Sequence, residues 1–156
     1  MPTFKNTAEL EVYLEKVTRQ VITEDVIPAV IQEWLEVQEE RVYNSYSPRL
    51  YDRRGKTGGL ADPRNIQISE SKINSLTTFV LENITKGNGW DTWNGKLIND
   101  LIESEDGFAG NPSTGMVARP YTEETVANLI SGVSRNSILE ALHSGFAKRG
   151  VNIKIK

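Results

Sequence analysis

A long run of apolar residues at helical spacing constrains this chain more than any other feature. Leu10, Leu14, Val17 and Val21 recur three and four residues apart, and the pattern resumes through Ile27, Val30, Ile31, Trp34 and Val37 to Val42. Residues so spaced share one face of a helix. Asn6 and Glu9 have the spacing of a capping box, which predicts a helix start near Thr7. Pro28 interrupts the pattern, because proline has no backbone N–H and its ring crowds the preceding turn. The expectation is therefore a kink there, or a second helix beginning near Thr23 or Pro28. A helix of this length in a small domain leaves part of its apolar face for a partner.

Downstream the periodicity changes. Residues 44–65 read NSYSPRLYDRRGKTGGLADPRN, with no apolar period, and are predicted to form a long loop. Ile66 and Ile68 then alternate with polar residues, and 76–84 is rich in Thr, Val, Phe and Leu, which predicts a hairpin turning at Asn74 and Ser75. A tryptophan-bearing turn segment, KGNGWDTWNG, precedes a short helix at about 96–103, and a second loop occupies about 105–121. A helix follows Thr122, and Ser134 or Asn136 caps a last one, for which Lys148 and Arg149 suit the negative end and Gly150 the position just beyond it. The alternation of Val151, Ile153 and Ile155 predicts a closing third strand. The fold class is thus α+β in one domain over 1–156: a long N-terminal helix kinked or split near Pro28, an antiparallel sheet of about three strands, and two to three further helices.

Composition removes many functions. At 156 residues, with 38% hydrophobic and 25% charged, the chain can bury a core without staples. It has no cysteine, so disulfides, thiolate nucleophiles and cysteine metal sites are excluded. Charges interrupt every apolar run at the N-terminus, and no stretch approaches a membrane span, so a soluble protein made in the cytoplasm is expected, with no membrane partner.

The catalytic inventory is thin. His143 is the one histidine, placed by its spacing near a helix C-terminus, where dipole and boundary roles are commoner than general-base roles. GxSxG, HExxH, GxxxxGK[ST] and GxGxxG are all missing, and RRGKTGGL lacks the upstream glycine of a phosphate loop. Glu103, Glu105 and Asp106 are oxygen ligands in principle, but acids before Gly107 are more simply a solvated helix end. Glu123 and Glu124 have a structural reason in the first turn of a helix. The reading is of a non-enzyme with no catalytic residue, metal or cofactor.

Contact chemistry is richer. Tyr43, Tyr46 and Tyr51 stand in or beside the long loop with Arg49, Arg53 and Arg54, a mixture common at subunit interfaces because both side chains combine area with directional hydrogen bonds. Its plainer alternative is an exposed loop with the tyrosines tucked onto the domain. Trp90 and Trp93 join the interface candidates, as does Arg119, whose backbone Pro120 holds extended. Acids dominate from Thr7 to Glu40 and bases from Arg41 to Arg64, an arrangement that suits head-to-tail contact, although solvated faces explain it more simply. The basic stretch also allows an alternative function, a small binding module or inhibitor contacting nucleic acid or a host protein.

Three segments together resemble a known group. VYNSYSPRLYDRRGKTGGLAD at 42–62, LINDLIESEDGF at 97–108 and MVARPYT at 116–122 resemble sequences of small virion morphogenesis proteins of long-tailed phages and prophages of Gram-positive hosts. The terminal helix ending in a basic residue and glycine is similar too. The group is that of tail-completion and neck proteins, which join the head connector to the tail. Tyr121 stands where phenylalanine is usual, and the segment from Trp90 to Trp93 has no counterpart there. The resemblance implies a structural virion subunit that assembles with itself as a hexameric or dodecameric ring. It implies contacts with head-side connector and tail-tube proteins, and nucleic acid only by proximity to the DNA channel.

Overall fold

Asn6 opens the first helix, its side chain accepting the Glu9 N–H at 2.9 Å. The Glu9 carboxylate reaches back to the Lys5 N–H at 2.9 Å, one residue short of a capping box. The computed structural model describes residues 3–44, 54–73, 76–86, 97, 100, 102–104, 119–132 and 134–154. Helical backbone then runs 37 residues, as α1 (Thr7–Val21), a wide π-type turn (Ile22–Val26), α2 (Ile27–Gln38) and a second such turn (Glu39–Tyr43).

The first wide turn lies where Pro28 demands it. Proline cannot donate into the helix ladder, and its ring presses on the carbonyl four residues back. Widening the turn before it, with Ile27 N–H bonded to the Ile22 carbonyl, lets the helix pass without stopping. The Thr23 hydroxyl donates back to the Arg19 carbonyl at 2.9 Å. Where a kink or a second helix start was expected, the helical backbone continues through a π turn.

Two compact units are present, one from residues 1–33 with 125–156, the other from 34–124. In the first, Val17, Val21 and Ile27 are buried, and α4 (Arg135–Lys148) packs on α1 and the wide turn after it. Gly145 lies where the elements approach closely, with no room for a β-carbon beside Asp25 and Val21. Helix α4 ends as its sequence predicts: Gly150 takes φ +74°, its N–H donates to Ala147, and the Val151 N–H donates to Phe146. These two bonds are a Schellman motif. The buried Glu33 carboxylate accepts from Asn128 Nδ2 at 2.7 Å and from the Ser134 hydroxyl, so Ser134 sits at the N-cap position with its side chain occupied elsewhere.

In the second unit Val37, Val42, Leu60, Ile102 and Tyr121 form the core, with Trp34 and Tyr43 packed against it. Strands β1 (Ile66–Ile73) and β2 (Leu76–Asn83) make an antiparallel hairpin. Helix α3 (Tyr121–Ile130) begins one residue before Thr122. The described positions of the expected short helix, Leu97, Asp100, Ile102 and Glu103, are helical.

Among the described residues the sheet has two strands, not the three expected. Residues 151–154 leave the Schellman turn without strand pairing, and Ile153 lies instead beside Leu139 of α4 along a groove. Alternation over so few residues reports one apolar side of an extended chain, which a helix can cover as well as a strand can.

Candidate assembly surface

The segment 54–65, expected to be an open basic loop, is tied down by one carboxylate. Asp62 lies at the N-cap of a short 3-10 turn, Pro63–Asn65, with its side chain 2% exposed. It accepts the Gly58 N–H at 2.6 Å, the Arg64 N–H at 3.0 Å, and Arg64 Nε and Nη2 at 2.9 and 2.6 Å. The Arg64 guanidinium, then the Gly58 N–H, hold this carboxyl far below the usual range, and the guanidinium is pushed up in return. Gly58 turns at φ +72°, a conformation glycine adopts without strain. The signal in the sequence was Asp62 before Pro63, an N-cap followed by an N1 proline.

The same knot fixes the base of the hairpin. Asn83 Nδ2 donates to the Leu60 carbonyl at 2.8 Å, and Asn65 Nδ2 and the Thr85 hydroxyl both donate to the Gly59 carbonyl, at 2.9 and 3.1 Å. Ile84 N–H closes on the Asn65 carbonyl at 2.8 Å. Asn83 and Thr85 are buried, so these bonds form away from water, where each is worth most. Nothing in local sequence spacing joins residues 59–65 to 83–85.

The four described basic side chains of 41–64 are all engaged within the chain. Arg41 makes a two-pronged bond to Glu124, Nε at 2.6 Å and Nη2 at 2.5 Å, which lowers the Glu124 carboxyl and raises the guanidinium. Lys56 pairs with Glu39 at 2.6 Å, and Arg54 donates to the Lys86 carbonyl at 2.8 Å. Glu103 accepts both the N–H and the hydroxyl of Thr122, at 3.1 and 2.5 Å, and so caps α3. Glu105 and Asp106 lie outside the described residues.

Of the interface candidates, Tyr43 is half-buried on the core. Arg54 is exposed, and Arg119 is half-buried with its N–H on the Ile102 carbonyl at 3.0 Å. The Arg119 carbonyl accepts the Tyr121 N–H at 2.8 Å, a tight turn about Pro120. Tyr46, Arg49, Tyr51, Arg53, Trp90 and Trp93 lie outside the described residues.

Beyond the leftover apolar face expected of the first helix, exposed apolar pairs recur at the repeat of other elements, which the sequence reading missed. On α3, Val126 and Ile130 are one turn apart and 48% and 68% exposed. On β2, Leu76 and Val80 share one sheet face and are 68% and 42% exposed. Leu10 and Leu14 on α1 are a third pair. Single exposed apolar residues are ordinary, but repeats along a face are the pattern of a surface that another molecule covers.

An open groove of about 820 Å³ is lined by Asn136, Leu139, Glu140, His143, Ser144, Ile153 and Lys154. Among the described residues no three His, Cys, Asp or Glu side chains stand together as metal ligands, and no helix is long and apolar enough to cross a membrane.

The YomN family model matches residues 6–148, and the chain belongs to that family, which is of phage type. No curated protein and no solved structure matches it.

Proposed function

From this membership of the phage-type YomN family, we propose that the chain is a structural virion protein that joins the head connector to the tail, a neck or tail-completion subunit acting by assembly into a hexameric or dodecameric ring. Its partners are copies of itself, with connector and tail-tube proteins above and below, and it belongs to the virion after assembly in the host cytoplasm. DNA is a neighbour only, passing through the channel.

The observation that carries the reading is the set of exposed apolar pairs, Val126 with Ile130, Leu76 with Val80 and Leu10 with Leu14. Covering such positions supplies roughly 25 cal/mol for each Å² removed from water, and a stable contact needs about 800 Å² on each partner. Among the described residues of the basic stretch the charges contribute little, because Arg41, Lys56 and Arg64 have their carboxylates in the same chain. That pairing also disfavours a nucleic-acid binder built on the basic stretch. No step here is catalytic: the work is the fit of subunits.

Light scattering of the purified chain across a concentration series tests the proposal. A defined oligomer at micromolar concentration supports it, and a monomer throughout the series, with and without head or tail proteins, refutes it.

A further inference from the structure

β1 and β2 pair along their whole length, with Ile66 opposite Asn83 at the base and Ile73 opposite Leu76 at the far end. Among the described residues neither strand has a second neighbour. Along the outer side of each, alternate residues therefore direct both N–H and C=O away from the hairpin. A two-stranded ribbon is marginal in water on its own, and among the described elements this one packs extensively only with itself.

The two edges differ in chemistry. From Leu76 to Leu81, β2 reads LTTFVL, with no charge, proline or glycine. Natural edge strands are blunted by lysine, proline or a bulge, and β2 has none of these over that stretch. Left bare, such a segment is an aggregation site. β1 is more polar, with Ser69, Glu70, Ser71 and Lys72 at its centre.

We propose that the outer edge of β2 receives β1 of a second copy, antiparallel, in a repeat of the hairpin's own register. This rests on the ring reading above and names the contact that builds the ring. Repeating the register sets Leu81 against Ile68 of the second copy and continues the apolar side formed by Ile66, Ile68, Phe79 and Leu81. Thr77 meets Lys72 and Glu82 meets Gln67, so no like charges oppose one another. Each copy gives β1 on one side and accepts on β2 at the other, with all hairpins pointing the same way. Such head-to-tail contact closes into a ring where the rotation between copies completes a full turn, whereas β2 against β2 stops at a two-fold dimer.

The test is amide hydrogen exchange on the full chain, diluted and concentrated, with mass read in parallel by light scattering. The ring contact predicts that the outward amides of both β1 and β2 slow by about a hundredfold or more in the oligomer. It also predicts that Thr78→Lys/Val80→Lys keeps the helical circular dichroism of the wild type but stays monomeric, lysine being poorly accommodated on a paired edge. An oligomer in which neither strand slows, or an assembling double variant, overturns this contact and leaves the ring reading standing. Slowing of β2 alone in a dimer overturns it in favour of two-fold pairing. A wild-type chain that is monomeric throughout overturns both.

Discussion

Gly145 lies so close to Asp25 that a β-carbon on it would stand 2.8 Å from the Asp25 Oδ2, and 2.8 Å from Val21 Cγ1 as well. Glycine within a helix costs about 1 kcal/mol relative to alanine, so the residue weakens α4 in order to let α4 close on the wide turn of the first helix. Gly145→Ala is accordingly expected to destabilise the protein by about 1–3 kcal/mol in denaturant unfolding, despite its better helix propensity. A stabilised variant would show that the two helices have room to spare.

Asp25 in turn holds the end of α4. Its carboxylate accepts Lys148 Nζ at 2.9 Å and Arg149 Nη1 at 2.7 Å, while Arg149 Nη2 reaches Glu24 at 2.5 Å. The Lys148 bond first, and the Arg149 bond after it, hold the Asp25 carboxyl below its usual range against the opposing effect of burial. A carboxyl lowered in the folded state stabilises fully above its unfolded pKa of about 4, and the stabilisation is lost as pH falls through the folded value. Asp25→Asn should therefore be less stable at pH 7 and lose less stability on acidification. Thermal midpoints of the two proteins, compared from neutral to acid pH, check this. Parallel curves would count against the assignment.

The Gln38 side chain is buried beside Tyr121, and neither end of its amide completes a hydrogen bond; the indole N–H of Trp34, one turn back, is in the same position. Burial first of all pushes the Tyr121 phenol well above its usual range; the Gln38 amide, near the phenol but short of full hydrogen-bond geometry, acts weakly the other way. Replacing an unpaired buried amide by an apolar group of similar shape removes a desolvation cost of about 1–3 kcal/mol. Gln38→Met is thus expected to unfold at higher denaturant than the wild type. A fall in the midpoint would mean that the amide is satisfied in solution.

Because Arg41, Arg54, Lys56 and Arg64 already have partners, a labelled DNA oligomer should show no saturable binding even at low salt. Binding that weakens steeply as salt rises would point to phosphate contacts instead.

Local signals in the sequence were read correctly where one residue decides the backbone. Asn6 caps, Gly150 takes the left-handed turn, the hairpin forms, and Pro28 disturbs the helix close to where it stands. What stayed hidden depends on residues far apart along the chain. Arg41, read as part of a basic contact stretch, is paired with Glu124, and Asn83 is bonded at Leu60, a link between segments that no local spacing announces. The supposed third strand failed for a related reason: the alternation of Val151 and Ile153 fixes an apolar side, not what covers it. Of the nine interface candidates, most fall outside the described residues, and Tyr43 is tucked onto the core.

In the proposed role this chain is a part of the particle. Quantitative mass spectrometry of purified virions, with an antibody to this chain imaged by electron microscopy, tests it most directly. A neck subunit is expected at a fixed copy number per particle, in a multiple of the ring, with label at the junction of head and tail. Particles that are complete and infective without the chain would contradict it.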